Sequence, residues 1–399
     1  MRVLITNRGL VRRAGTELFV RDLAFALKAR GLEPVCFAPE TGEVAEEIRA
    51  GGIEVEEDLD RLDPPDLIHA QHHPAAAAAF SAFPDTPAIY VCHGVKPWPE
   101  APLARFPNIR AYVAVDQACA DFLVEGHAIP PRLISVIRNG VDMARFPDAP
   151  DAPDRRKRAL LISNIAEEAS LAPFRQACAR AGYELDAAGS GLGAILDKPE
   201  TVLPRYGLVF AKARAALEAM ACGCAVQLAD YGRIGPLVTT QNFDHLRDWN
   251  FGFRVIEDAP ESGKIRRAVE AVDWADVAAV SARVREEAGF DTVAGQFELV
   301  YRAARNRPPA NPGDPADAMR DYMLSLLPHL QERDDLAGKL YRTVKDGIAR
   351  DRALSALLIR AVQGEIDGRA LAREAVRLDP ENSAAAALLK AMKTDRPAP

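Results

Sequence analysis

The feature that most constrains this chain is an alternation of short apolar stretches with amphipathic helical ones, punctuated by glycine. Residues 2–6 (RVLIT) read as a buried strand. Residues 15–30 carry apolar residues at Leu18, Phe19, Leu23, Phe25, Ala26 and Leu27 in a helical pattern and stop at Gly31, and residues 33–37 read as a strand again. A strand, a helix and a second strand in that order make a crossover unit, which pairs its strands in parallel and buries them between helices. Further apolar strands at 66–69, 88–93, 110–115 and 134–138 extend the unit into a mostly parallel, doubly wound sheet. After Asn139 the chain turns polar and proline-rich through PDAPDAPDRRKR, a first linker. The alternation then resumes: strand 159–163, helix 166–181, strand 184–188, the glycine turn GSGLG from Gly189, strand 208–211, a helix from Lys212, and strand 225–228.

Two similar α/β halves therefore stand in tandem. Amphipathic helices around 264–272, 275–287 and 291–305 follow, and NRPPANPGDPAD forms a second linker. From Ala318 onward the pattern is all helical, and REAVRLDPENSAAAALLKA looks like the end of one tetratricopeptide repeat and the start of the next. The expected domains are 1–152, 153–307 and a helical tail from 308 to 399.

Composition excludes several classes. With 50 Lys and Arg against 57 Asp and Glu the net charge is −7, both signs are interspersed, and no basic face recommends nucleic acid. The N-terminal apolar run is too short for a signal peptide and no stretch approaches a membrane span, so the expectation is a cytoplasmic protein. Cys36, Cys92, Cys119, Cys178, Cys222 and Cys224 are scattered, and C-G-C has neither zinc-site nor thioredoxin spacing, so they read as reduced core thiols.

Five segments carry a resemblance. IRNGVDMARF, LEAMACGCAV, AGTELFVRDLAFALKARG, HAQHHPAAAA and the pair His93-Gly94 are similar, in order and over the first three quarters of the chain, to segments of the family-4-type, nucleotide-sugar-dependent glycosyltransferases. That resemblance implies the GT-B fold, two doubly wound Rossmann-like domains, here with a C-terminal helical extension. It also implies retaining sugar transfer to a glycan, lipid or protein acceptor, as in polysaccharide biosynthesis, with no metal and no cofactor beyond the donor. The helical tail lies outside it and is a candidate protein-binding module; peripheral membrane association is a further candidate.

In a doubly wound sheet, ligands sit beyond the carboxyl ends of the strands, where helix N-termini direct N–H groups at anions. The helix from Lys212 is placed there. Lys212 and Arg214 are the candidate cations for the leaving diphosphate, with Glu218 for the ribose, the position at which the resemblance places that contact; a solvated helix glutamate is the plain alternative. Gly15 and Thr16 lie at the first strand-to-helix turn, where a missing β-carbon permits close approach to phosphate, or where an ordinary helix start stands. His93 ends a strand and resembles the family's active-site histidine; alone it would read as a packed core residue. Gly189, Arg138 and Asn139 complete the donor-side candidates, the last two being equally a structural hinge. His69, His72 and His73 invite a metal reading, but no carboxylate is spaced to complete a site.

Departures from the family pattern are as informative. Its first carboxylate, eight positions before Glu218, is Phe210 here, and Asn164 and Glu167 stand where cations are expected. Either Lys212 and Arg214 have taken over the phosphate, or the donor chemistry has changed, or turnover is lost. Two rivals stay open: a sugar-nucleotide epimerase of the same fold, and a noncatalytic scaffold presenting its tail to partners.

Overall fold

The computed structural model describes residues 1–13, 15–96, 98–103, 106–148, 152–230, 232–362, 368–380 and 386. It divides into two compact units, Met1–Met319 and Arg320–Pro399.

The first unit holds two sheets. Strands β1 (Arg2–Thr6), β2 (Glu33–Phe37), β3 (Glu54–Glu56), β4 (Leu67–Ala70), β5 (Ala88–Cys92), β6 (Ile109–Ala114) and β7 (Ile134–Val136) form a seven-stranded sheet. Its order is β3-β2-β1-β4-β5-β6-β7, and every pairing is parallel, as in Leu4 with Val35 and Ile5 with His69. Helices cover both faces of such a sheet, which is why β5 (AIYVC) is buried along its whole length rather than alternating. The second sheet comprises β8 (Arg158–Ile162), β9 (Glu184–Ala188), β10 (Leu208–Ala211), β11 (Ala225–Asp230) and β12 (Arg233–Leu237), in the order β12-β11-β10-β8-β9. The two doubly wound halves that the alternation predicts are present, with strand limits displaced by a residue or two.

Two strands lay below the reach of periodicity. β3 is only three residues long, with glutamates on either side of Val55. β12 pairs antiparallel with β11 at the sheet edge and contains Gly235 and Pro236, residues that argue against a central strand but are tolerated at an edge. A β-carbon on Gly235 would stand 2.3 Å from the Val255 carbonyl oxygen, so the chain there requires glycine. The helix expected at 166–181 is divided into a tight turn, Glu168–Leu171, and the helix Ala172–Arg180, because Pro173 suits a helix's first turn and not its interior.

The chain crosses between the halves twice, side by side. Val141 N–H donates to the Ala288 carbonyl at 2.8 Å and Phe290 N–H to the Val141 carbonyl at 3.0 Å. Gly140 sits in this crossing, where a β-carbon would meet Val293 Cγ2 at 2.8 Å. The helix Phe290–Asn306 then returns to the first half. It buries Phe290, Val293, Ala294, Phe297, Tyr301 and Ala304, sets Phe297 against Phe19 and His69, and links to helix Gly15–Ala29 through Arg30 with Asp291 (3.0 Å) and Glu298 (3.2 Å). Burial of that face at about 25 cal/mol per Å² makes the return helix part of the first half's core.

All six cysteines are buried and unpaired. In the tail, a single helix runs from Pro315 to Val362 with Pro328 inside it, followed by the helix Gly368–Leu378. A 48-residue helix differs from the short paired helices of a tetratricopeptide unit. The continuation of that expected repeat, 381–385 and 387–399, lies outside the described residues. Among the described residues no helix is long and apolar enough to cross a membrane.

Candidate active site

The carboxyl ends of the first sheet face the start of the helix Ala213–Ala221, and a cavity of about 170 Å³ lies between them. It is lined by Gly15, Thr16, Phe19 and His93 from the first half, Asn139 and Gly140 from the crossing, and Ala213 and Arg214 from the second half. Five candidates scattered over two hundred residues of sequence, Gly15, Thr16, His93, Asn139 and Arg214, thus meet at one place. Ala213 opens the helix at φ +47°, in the left-handed region that costs a residue with a β-carbon about 1 kcal/mol, and its N–H donates to the Phe251 carbonyl at 2.9 Å. Strain of this kind persists where the surroundings over-determine it.

Arg214 is the centre of a buried ionic cluster. Its Nε donates to Glu218 at 2.7 Å and its Nη2 to Asp22, which sits on helix Gly15–Ala29 in the other half. Asp22 also accepts from Arg21 Nε at 2.8 Å and Nη2 at 2.6 Å, and Arg21 reaches Glu47 at 2.9 Å. Arg145 approaches Asp22 at 3.9 Å and pairs with Glu200 at 2.9 Å. Burial works to raise the Asp22 carboxyl pKa, but Arg214 and Arg21 outweigh it and hold it below the usual range. Burial raises that of Glu218, offset only in part by Arg214 because Asp22 shares the same guanidinium. Arg13 is also paired with Glu47 and Glu43, so four cations face five carboxylates, and the cluster joins the two halves while offering an incoming anion no surplus of positive charge.

The remaining candidates are dispersed. Lys212, at the helix N-cap, pairs with Asp230 at 2.7 Å, and Asp230 also accepts from Ser163 Oγ. Glu218 is buried with Arg214 on its carboxylate, so the group that the resemblance assigns to the ribose is occupied by a neighbouring side chain. Gly189, at φ +147°, follows β9 and approaches Ser163 so closely that a β-carbon would stand 1.8 Å from its carbonyl oxygen. Neither Gly189 nor Arg138, which is paired with Asp248, is among the residues lining the 170 Å³ cavity. Phe210 is fully buried and packs edge-on to Phe174 at 5.2 Å, so the absent first carboxylate is replaced by core.

His93 Nε2 lies 2.5 Å from Gln71 Oε1 and its ring meets Phe19 edge-on at 4.5 Å; burial lowers its pKa to about 4, so it is neutral near pH 7. His69, His72 and His73 diverge. His69 Nδ1 meets Tyr301 Oη at 2.7 Å. His72 Nδ1 accepts the Arg8 N–H at 3.2 Å, which leaves Nε2 to donate to Glu100 at 3.2 Å, and His73 packs edge-on against Trp98. Among the described residues no group of three or more His, Cys, Asp or Glu side chains is placed to hold a metal.

Asp22, Arg21 and Arg145 were beyond sequence reasoning. Asp22 lies mid-helix beside Arg21, a pattern that ordinarily marks a solvated face, and only the approach of the second half buries it. The one available signal was the unusual placement of adjacent charges between Val20 and Leu23 on an otherwise apolar stripe.

Residues 13–145, about a third of the chain, match the family Glycosyltransferase Family 4. Among solved structures, a glycosyltransferase from Rickettsia africae aligns at 13% identity and TM-score 0.57, over 76% of this chain and 98% of that one. The Anabaena protein HepE, solved with UDP and glucose, aligns at 17% identity and TM-score 0.55, over 76% and 100%. Sucrose-phosphate synthase from Thermosynechococcus elongatus aligns at 12% identity and TM-score 0.50, over 76% and 98%. No curated protein matches the chain by sequence. The return of helix Phe290–Asn306 to the first half, the paired Rossmann-like sheets and these alignments give this chain the GT-B fold, and within it residues 13–145 match the glycosyltransferase family 4 model.

Proposed function

We propose that the protein transfers a sugar from a nucleotide-diphosphate donor bound in the cleft between its halves, with retention at the anomeric carbon and without a metal. The observation that carries this reading is the cavity that gathers Gly15, Thr16 and His93 from a family 4 domain with Asn139, Ala213 and Arg214. The hard step is departure of the nucleoside diphosphate, and the protein's task is to stabilise charge developing on the leaving phosphate while the acceptor hydroxyl attacks from the same face. Backbone N–H groups at Gly15 and at the start of helix Ala213–Ala221, with the N–H groups of Arg214 not spent on carboxylates, are the donors for that charge. Neutral His93 positions the sugar by hydrogen bonding rather than by charge. HepE, solved with UDP and glucose in the same fold, supports the choice of donor class.

A second reading draws on Phe210 and on the Arg214 cluster: a GT-B chain without the first carboxylate and with its cleft cation paired is suited to binding without turnover. Purified protein incubated with a panel of nucleotide-sugars, with and without acceptors, separates the readings. Release of nucleoside diphosphate with the sugar's anomeric configuration kept in the product supports transfer. Binding with no release supports the scaffold, and inversion in the product overturns retention.

A further inference from the structure

Lys212 and Arg214 are both held by carboxylates, so the diphosphate needs a cation elsewhere. Arg247, in the helix Phe243–Asp248, is 8% exposed, and its Nη1 is buried with no hydrogen-bond partner. The carboxylates around it are already taken: Asp248 by Arg138, and Asp244 (2.7 Å) and Glu287 (3.0 Å) by Arg283. Arg138 in turn leaves its own Nε buried and unpartnered. Burial lowers the Arg247 pKa to about 10, and the neighbouring Arg138 charge pushes the same way. Glu287, itself paired with Arg283, offsets this only in part, and two neighbouring guanidiniums, one of them deeply buried without an ion pair of its own, are costly as they stand; a buried charge is ordinarily compensated.

Their place in the chain ties them to the cleft. Arg138 directly precedes Asn139, which lines the 170 Å³ cavity, and Arg247 leads into the turn whose Phe251 carbonyl accepts the N–H of cavity-lining Ala213. That turn is strained, with Asn250 at φ +50° and Phe251 at φ +52°, and Asn250 is buried with its Oδ1 unpartnered. Buried guanidinium N–H groups without partners, an unsatisfied amide and a strained turn thus lie next or close along the chain to residues that line or bond to the cavity.

We propose that Arg138 and Arg247 form the seat for the diphosphate of the donor, an assignment that rests on the nucleotide-sugar reading above. A guanidinium pair presents planar N–H forks to two phosphate oxygens, and a bound diphosphate supplies the anion that the buried Arg247 lacks. Arg138 is then shared between Asp248 and the ligand.

Pyrophosphate and UDP are titrated calorimetrically into the full chain and into Arg247→Leu, Arg138→Gln and Lys212→Gln, with the melting temperature of each ligand-free protein recorded. Arg247→Leu is expected to weaken both ligands at least tenfold while melting at or above the wild-type temperature, because an unpaired buried charge has been removed. Arg138→Gln should weaken both as well, and Lys212→Gln should change either by less than threefold. If UDP and pyrophosphate bind Arg247→Leu as tightly as wild type, the seat is elsewhere and the inference falls alone. If Lys212→Gln gives the tenfold loss instead, the diphosphate sits at the helix N-cap. If neither ligand binds the wild-type protein, the nucleotide-sugar reading falls together with the seat.

Discussion

Replacing Asp22 by Asn tests whether the cluster around Arg214 holds the two halves together. The wild-type carboxylate is buried, accepts two N–H groups of Arg21 and one of Arg214, and is the member common to both halves. Removing one partner of a buried ion pair costs about 3–5 kcal/mol because the other charge is left uncompensated. Here each arginine keeps a second carboxylate, Glu218 for Arg214 at 2.7 Å and Glu47 for Arg21 at 2.9 Å, and Asn retains an acceptor oxygen. The loss should therefore fall at the low end, about 3 kcal/mol. Urea unfolding of wild type, Asp22→Asn, Arg214→Met and the double variant gives the coupling between the two side chains directly, as about 2 kcal/mol for partners in one network. With two halves in one unit the transition need not be two-state, so the midpoint and its slope are both read. A cost below about 1 kcal/mol with no coupling would refute the reasoning, and would mean that the halves are held by contacts other than this ionic cluster.

Three further outcomes follow. Folded His69 and His93 have pKa values lowered by burial to about 3 and about 4, below the unfolded value near 6.5, so the unfolded chain binds more protons in that window. Their contribution to stability is full above pH 6.5 and is lost as pH falls toward 4, and His93→Gln should flatten the acid limb of a midpoint-against-pH curve; an unchanged limb would show that carboxylates dominate it. Phe210→Glu should not recover a missing catalytic carboxylate but should destabilise the chain by several kcal/mol, since it buries an unpaired charge against Phe174; near-native stability with increased donor release would contradict that. A chain ending at Met319 should keep the wild-type melting temperature and UDP affinity, because Met1–Met319 is a compact unit that includes the return helix; loss of either would make the tail part of the catalytic body.

The fold was legible because periodicity records burial. Continuous apolar runs such as AIYVC announce strands covered on both faces, and Leu18, Phe19, Leu23 and Leu27 announce one helical stripe. What failed locally was short or at an edge, as with β3 and β12, where there is too little burial to leave a pattern.

The candidate site was legible only as a set of places. Glycine and strand-end signals located Gly15, Thr16 and His93, and the segment around Asn139 marked the crossing, because backbone geometry is written locally. Whether a charge is free or spent is not local. Arg214 and Glu218 are four positions apart on one helix and pair as i, i+4 neighbours, yet what fixes Arg214 is Asp22, 192 residues away, and Lys212 is likewise claimed by Asp230. By itself the sequence determined two doubly wound halves and the strand ends that such sheets offer to ligands, because hydrophobic period and turn chemistry act between near neighbours. Tertiary structure alone decided which cations were neutralised and which, like Arg247, were left buried without an anion, because Coulomb energy depends on distance through space and on exclusion of water, and neither is a property of spacing along the chain.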